Sequence, residues 1–156
     1  MKPSANKGIL VALLALPLWL LPAASALAQA GKASGDWAIL IDKKSIGSKA
    51  TFYPYVLDGK PMEVFAVRAS DGTIRTALNT CQVCYSSGRG YYVQEGRVFI
   101  CQNCGNRFSV DQIEKIKGGC NPIPVLGADK TDLGDRIGIS RAYLVKVAPY
   151  FARWKR

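Results

Sequence analysis

The sequence predicts a small, mainly β domain built as an antiparallel sandwich or barrel. Two patterns point there. Short apolar runs rich in β-branched and aromatic residues recur between Trp37 and Val147. Asp58-Gly59, Asp71-Gly72 and Glu95-Gly96 fall between successive runs, where tight hairpin turns want a residue tolerant of positive φ. Within that span only Val110–Lys117 has a helical or turn-like look. A hydrophobic content of 49% with 21% charged residues excludes a disordered or collagenous chain.

Taken in order, residues 1–28 read as a secretory leader. Lys2 and Lys7 precede the apolar stretch 8–22, and Ala26-Leu27-Ala28 offers small residues for cleavage. The alternative is that 8–22 is retained as a membrane anchor. No Arg-Arg pair precedes the stretch, so the general secretory route is expected. That route exports an unfolded chain, and any cofactor would be acquired outside the cytoplasm. The expected location is periplasmic or otherwise extracytoplasmic. Residues 29–36 form a polar linker, and 37–148 the folded domain. Strands are expected at Trp37–Asp42, Phe52–Leu57, Met62–Ala69, Thr73–Leu78, Tyr91–Gln94, Arg97–Cys101, Ile137–Ile139 and Tyr143–Val147. Met62, Val64 and Ala66 would share one face. Residues 149–156 form a basic, aromatic tail suited to a membrane or a partner, or simply to solvent.

The 156 residues carry 21 Lys+Arg and 11 Asp+Glu, for a net charge of +10. Without residues 1–28 the charge is +8. An exported domain of this kind suits an anionic membrane surface or an acidic protein better than nucleic acid. There is no His, which removes Ser-His and Cys-His catalysis and imidazole ligands. No carboxylate pair suggests acid/base catalysis.

Five cysteines carry the chemistry. Cys81-x-x-Cys84 and Cys101-x-x-Cys104 stand with sixteen residues between the inner thiols. Two residues between thiols let both sulfurs turn toward one ion, so two such turns complete a four-thiolate shell. Zinc, an iron–sulfur cluster and Cu(I) all accept that shell. Two disulfides, a closed zinc knuckle and thioredoxin-type exchange are the competing readings. The fifth, Cys120, lies in Gly118-Gly119-Cys120-Asn121-Pro122. The glycines allow unusual backbone geometry and Pro122 stiffens the chain beyond them, so this loop could cap the site. Cys120 is then an extra ligand, a shield, a redox partner or a buried small residue.

The stretch from Val67 to Val125 resembles a Rieske domain. Asp71-Gly72-Thr73-Ile74 is similar to its hairpin, and Thr80–Cys84 and Gly96–Phe108 to its two ligand loops. Gly118–Pro122 is similar to its capping loop. Cys84 and Cys104 stand where that superfamily has its two His ligands. A four-thiolate [2Fe–2S] centre would then have a much lower potential than a Rieske centre, and no imidazole proton coupling. A closer resemblance is to the FtrD-like family of bacterial membrane iron–sulfur proteins. It rests on Cys81-x-x-Cys84-Tyr85, Cys101-x-x-Cys104-Gly105 and Gly118-Gly119-Cys120-Asn121-Pro122-Ile123-Pro124. That resemblance implies an iron–sulfur cofactor, association with iron uptake, and a membrane redox or metal-transport protein as partner.

Three Tyr and three Arg lie near the ligands in sequence. Tyr85, Tyr91 and Tyr92 could shield the site or simply pack in the sheet. Arg89, Arg97 and Arg107 could offset thiolate charge or simply be solvated. Two function classes remain: an exported electron-transfer module, and a non-redox zinc- or copper-binding module. A closed four-thiolate zinc shell leaves no open position, so zinc hydrolysis is excluded from both.

Overall fold

The computed structural model describes residues 35–155. The expected leader and most of the linker lie outside the described residues. Ten strands form: β1 Trp37–Asp42, β2 Thr51–Leu57, β3 Lys60–Arg68, β4 Ile74–Cys81, β5 Tyr92–Glu95, β6 Val98–Cys101, β7 Arg107–Ser109, β8 Pro122–Pro124, β9 Thr131–Asp132 and β10 Arg136–Ser140. One helix, α1, spans Arg141–Val147.

The strands make three antiparallel sheets, ordered β1-β10-β9, β2-β3-β4-β8 and β5-β6-β7. Among the described residues no sheet closes into a barrel, and a small sandwich is the fitting description. The turn pairs act as the sequence requires. Asp58 and Gly59 both take positive φ (47° and 79°), which matches the turn to the twist of the β2–β3 hairpin. Asp71-Gly72 joins β3 to β4, and Glu95-Gly96 joins β5 to β6.

β3 and β4 divide the interior. Alternate side chains leave a strand on opposite faces, so each strand supplies two cores. Met62, Val64, Ala66 and Leu78 face a cluster with Ile39, Ile41, Ile139, Leu144 and Phe151. Phe65, Val67 and Ala77 face the other way, onto Tyr92, Phe99, Val110, Cys81 and Cys101. The expected shared face of Met62, Val64 and Ala66 is therefore present. The Phe65 and Phe99 rings stack at 4.4 Å between centroids and fix the β5–β7 sheet against β3.

One element is corrected. Tyr143–Val147, expected as a strand, lies in α1. The Ser140 hydroxyl accepts a hydrogen bond from the Tyr143 amide and caps the helix start. Tyr143, Leu144 and Val147 are buried, a spacing that gives one face of a helical turn. Residues 149–155, read from sequence as a tail, pack against the domain. Phe151 is buried, the Trp154 indole N–H donates to the Asn79 carbonyl at 2.6 Å, and Thr80 Oγ1 donates to the Tyr150 carbonyl. The expected helix or turn at Val110–Lys117 is a short 3-10 turn, Val110–Gln112, with tight turns after it.

Removal of the Phe99 ring tests the second core. Phe99→Ala should cost about 3–5 kcal/mol in urea unfolding, because the lost ring leaves a cavity against Phe65.

Candidate metal centre

Three loops meet at one end of β4 and β6. Cys81 closes β4, and Cys84 opens the adjoining 3-10 turn, Cys84–Ser87. The Cys84 amide donates to Cys81 Sγ at 3.2 Å, the local consequence of two residues between thiols. The loop then folds back tightly, with the Cys81 amide donating to the Gly90 carbonyl. A Cβ on Gly90 would lie 2.3 Å from the Cys84 carbonyl oxygen, so only glycine permits this return.

Cys101 closes β6 in the same manner. Its amide donates to the Asn106 carbonyl, and the Gly105 amide donates to the Cys101 carbonyl, both at 2.9 Å. Cys104 stands between them on the outer side of this turn and is exposed.

The third loop carries Cys120. Gly118 and Gly119 both have positive φ (80° and 75°), which turns the chain over the two thiol loops. Side-chain amides hold it there. Gln82 Oε1 accepts from the Gly118 amide, Asn106 Nδ2 donates to the Cys120 carbonyl, and Asn121 Nδ2 donates to the carbonyls of Ile116 and Pro122. Further back, Glu114 accepts from the Thr76 amide and hydroxyl and pairs with Lys130 at 2.5 Å. This nearly buried pair fastens the 110–130 segment to β4.

The Sγ atoms of Cys81, Cys84, Cys101 and Cys120 all lie within 4.8 Å of one another. Cys120 Sγ is 3.2 Å from Cys81 Sγ, 3.5 Å from Cys84 Sγ and 2.7 Å from Cys104 Sγ. All five cysteines predicted as ligand or redox residues thus converge, with Cys120 in the middle and Cys104 at the rim. All five are free thiols. Gly118, Gly119 and Pro122 hold the capping loop, with Pro122 paired to Cys81 across β8 and β4.

The donor set fits a soft metal. Thiolates alone surround the space, and among the described residues no carboxylate joins the group. A tetrahedral ion with bonds of about 2.3 Å to sulfur separates its ligands by about 3.8 Å, which is the scale of the observed group. A second observation is independent of the sulfurs. The Tyr92 hydroxyl is buried without a hydrogen-bond partner, and it lies beside Cys81. A metal-bound Cys81 thiolate is the acceptor that this O–H lacks.

The thiols differ in acidity. Burial raises Cys101 to about 11. Burial also raises Cys84 and Cys120, and for Cys120 the contacts with Cys104, Cys81 and Cys84 push further the same way. Burial opposes ionisation of Cys81, yet its interaction with the Tyr92 hydroxyl, the Cys84 amide and Cys120 together hold it below the ordinary thiol value. Cys104 is also held low: its slight burial is outweighed by hydrogen bonds from Cys120 and the Asn106 amide. Burial raises Tyr92, which stays protonated and able to donate.

The aromatic and cationic residues near the ligands take different places. Tyr92 is buried against the site, Tyr85 packs edge-on to Tyr150 at 5.2 Å, and Tyr91 lies under the Lys155 ammonium. Arg97 pairs with Asp111 at 3.1 Å, and Arg89 and Arg107 are exposed. The polar clamps Gln82 and Asn106 and the buried Asn79 are not among the residues the sequence singles out, and Asn121 enters only as a member of the Gly-Gly-Cys-Asn-Pro loop. Their position within or beside the Cys-bearing loops was the only available signal.

The fold and the site define a small antiparallel β protein with a thiol-only site, held by three loops, that could hold a metal. The chain belongs to the family described as "Membrane iron-sulfur containing protein FtrD-like", which it matches over residues 46–151. No curated protein and no solved structure matches it. Among the described residues no helix is long and apolar enough to cross a membrane.

The thiol environments predict two outcomes. In the reduced, metal-free protein at mildly alkaline pH, iodoacetamide should label Cys104 first and Cys101 last, as read by peptide mass spectrometry. Tyr92→Phe should leave the fold and metal content intact. In a redox-active protein it should lower the midpoint potential measured by film voltammetry, because a donor to sulfur favours the more negative, reduced state.

Proposed function

We propose that the protein is an exported electron-transfer module whose thiol centre carries an iron–sulfur cluster of the [2Fe–2S] type. On this reading it serves bacterial iron or other metal uptake, or a membrane redox complex, through a membrane redox or metal-transport protein. The convergence of five thiols, two of them buried and two partly buried, in a family described as iron–sulfur carries the reading. When bound, the cluster supplies one-electron chemistry at a low potential, since every protein ligand is an anionic sulfur.

The chain's own residues have the complementary tasks. Cys81, Cys84, Cys101 and Cys104 would fill the four ligand positions of the cluster, and Cys120 would serve as an additional, exchangeable ligand or as a redox partner. Tyr92 holds a proton against the Cys81 sulfur. Gly118, Gly119 and Pro122 shape the loop that keeps water from the inner thiols. The leader at residues 1–28 supports a periplasmic or otherwise extracytoplasmic location, with residues 8–22 as the anchor if it is retained.

One observation favours a second reading. Four sulfurs within 4.8 Å of one another is the span of a single tetrahedral ion, and a two-iron cluster needs its thiol pairs further apart. A zinc or Cu(I) site, structural or metal-handling, has that span.

Absorption and metal analysis of the anaerobically purified mature domain separate the readings. Visible absorption with iron and acid-labile sulfide in equal amounts is expected. A colourless protein with one zinc or copper per chain would overturn the electron-transfer reading.

A further inference from the structure

Among the described residues the thiol centre is exposed on the side of Cys104. Cys81 and Cys101 are buried and Cys84 and Cys120 are partly so, whereas Cys104 is exposed, as are Gly105, Gly118 and Gly119 beside it. The two capping glycines have no side chain to hold a visitor away, and a Cβ on either would meet only open space.

The surroundings of this opening are built in a particular way. Val83 and Ile116 are among the few large apolar side chains left exposed on the molecule, at 59% and 37%. Both belong to the loops that carry the thiols. They meet where Gln82 bonds Gly118 and where Asn121 bonds the Ile116 carbonyl. The charge on these loops is of one sign. Segments 82–91, 102–107 and 115–121 carry Arg89, Arg107, Lys115 and Lys117, and no Asp or Glu. All four cations are exposed. Lys115 reaches Asp71 only at 3.8 Å, and Arg89, Arg107 and Lys117 make no ion pair among the described residues. The nearest acids in sequence are engaged elsewhere, Asp111 with Arg97 and Glu114 with Lys130. Asn106 bonds the Cys120 carbonyl, which places Arg107 beside the opening, and Lys117 directly precedes Gly118.

We propose that this face, centred on exposed Cys104 with Val83 and Ile116 as apolar contacts and Arg107 and Lys117 as cations, docks an acidic protein partner. The inference rests on reading the thiol centre as an electron-transfer site and names the kind of partner that site meets. Exposed apolar side chains on loops whose charge is of one sign suit a transient complex. The charges steer and orient the encounter, and the patch excludes water over the shortest route to the metal. An acidic protein fits better than a membrane surface, because the apolar residues are two short aliphatic side chains with no Trp or Tyr of an interfacial belt among them.

Fluorescence anisotropy with a labelled all-glutamate peptide tests this on the full holo-protein. The double variant Arg107→Glu/Lys117→Glu should weaken binding about tenfold or more at low salt. The control Lys44→Glu/Arg136→Glu, with the same change in net charge at exposed positions away from the thiol loops, should weaken it by no more than about threefold. Equal losses in both variants would overturn the proposal, as would absence of binding. Vesicles of phosphatidylglycerol in phosphatidylcholine form a second arm. Sedimentation with vesicles that Arg107→Glu/Lys117→Glu abolishes, with no peptide binding, would overturn it in favour of a membrane-facing site. Binding does not require a redox-active metal. A colourless zinc protein that binds the peptide through Arg107 and Lys117 would therefore sink the electron-transfer reading alone, and a coloured protein indifferent to those charges would sink the docking face alone.

Discussion

The structure depends on bringing negatively polarised sulfurs together where water is scarce. Thiolates at separations of 2.7–3.5 Å repel one another strongly in a poorly hydrated space unless a cation lies among them. The protein does not supply that cation. Arg97 is turned to Asp111, and Arg89 and Arg107 face solvent. What the chain supplies instead is a set of dipoles: the Cys84 amide at Cys81 Sγ, the buried Tyr92 hydroxyl beside it, and the amide side chains that fix the third loop. Dipoles of this strength orient sulfurs and tune them. They do not neutralise several ionised thiols at once, a task that falls to a bound metal. The raised pKa values of Cys84, Cys101 and Cys120 express the same constraint.

That constraint explains why the scaffold is divided as it is. β3 and β4 separate an all-apolar core under α1 from a second core that ends in Cys81 and Cys101. The first core, with Ile41, Leu78, Ile139 and Leu144 fully buried, owes nothing to the metal. The second is stiffened by the Phe65–Phe99 stack directly behind the ligand-bearing ends of β4 and β6. Rigid strand ends are what allow three loops to be brought to one point without many contacts of their own. The C-terminal segment adds a brace, since Trp154 and Tyr150 hydrogen bond to Asn79 and Thr80 just before Cys81.

Much of this was legible in the sequence because the signals were local. Asp58-Gly59, Asp71-Gly72 and Glu95-Gly96 can each do little except turn a hairpin, and they set the strands on either side. The two Cys-x-x-Cys turns and the Gly-Gly-Cys loop announced a thiol centre in the same way. What was not legible depends on distant partners. Tyr143–Val147 is too short for its period to be read, and its helical state is decided by the Ser140 cap and by packing under β1 and β10. The place of Cys120 at the centre of the thiols, rather than above them, results from clamps by Gln82 and Asn106 across 36 and 14 residues of chain. Phe151 and Trp154 looked like a solvated tail because charge surrounds them in sequence, while in space they meet β3 and β4.

The site is therefore polarised from inside to outside. On its inner side Tyr92 is buried, unpartnered and too weakly acidic to lose its proton, so it offers a fixed donor to Cys81. On its outer side Cys104 has a lowered pKa and is in contact with water. A sulfur that keeps a buried donor is held in one geometry, whereas a sulfur at the surface exchanges its surroundings with solvent or with whatever covers it. Charge placed on such a centre is stabilised unequally, and its environment responds most at Cys104. The same residue that weakens the seal of the centre is the one through which its surroundings can be changed from outside, and the absence of any acid from segments 82–91, 102–107 and 115–121 around it sets the sign of what can approach.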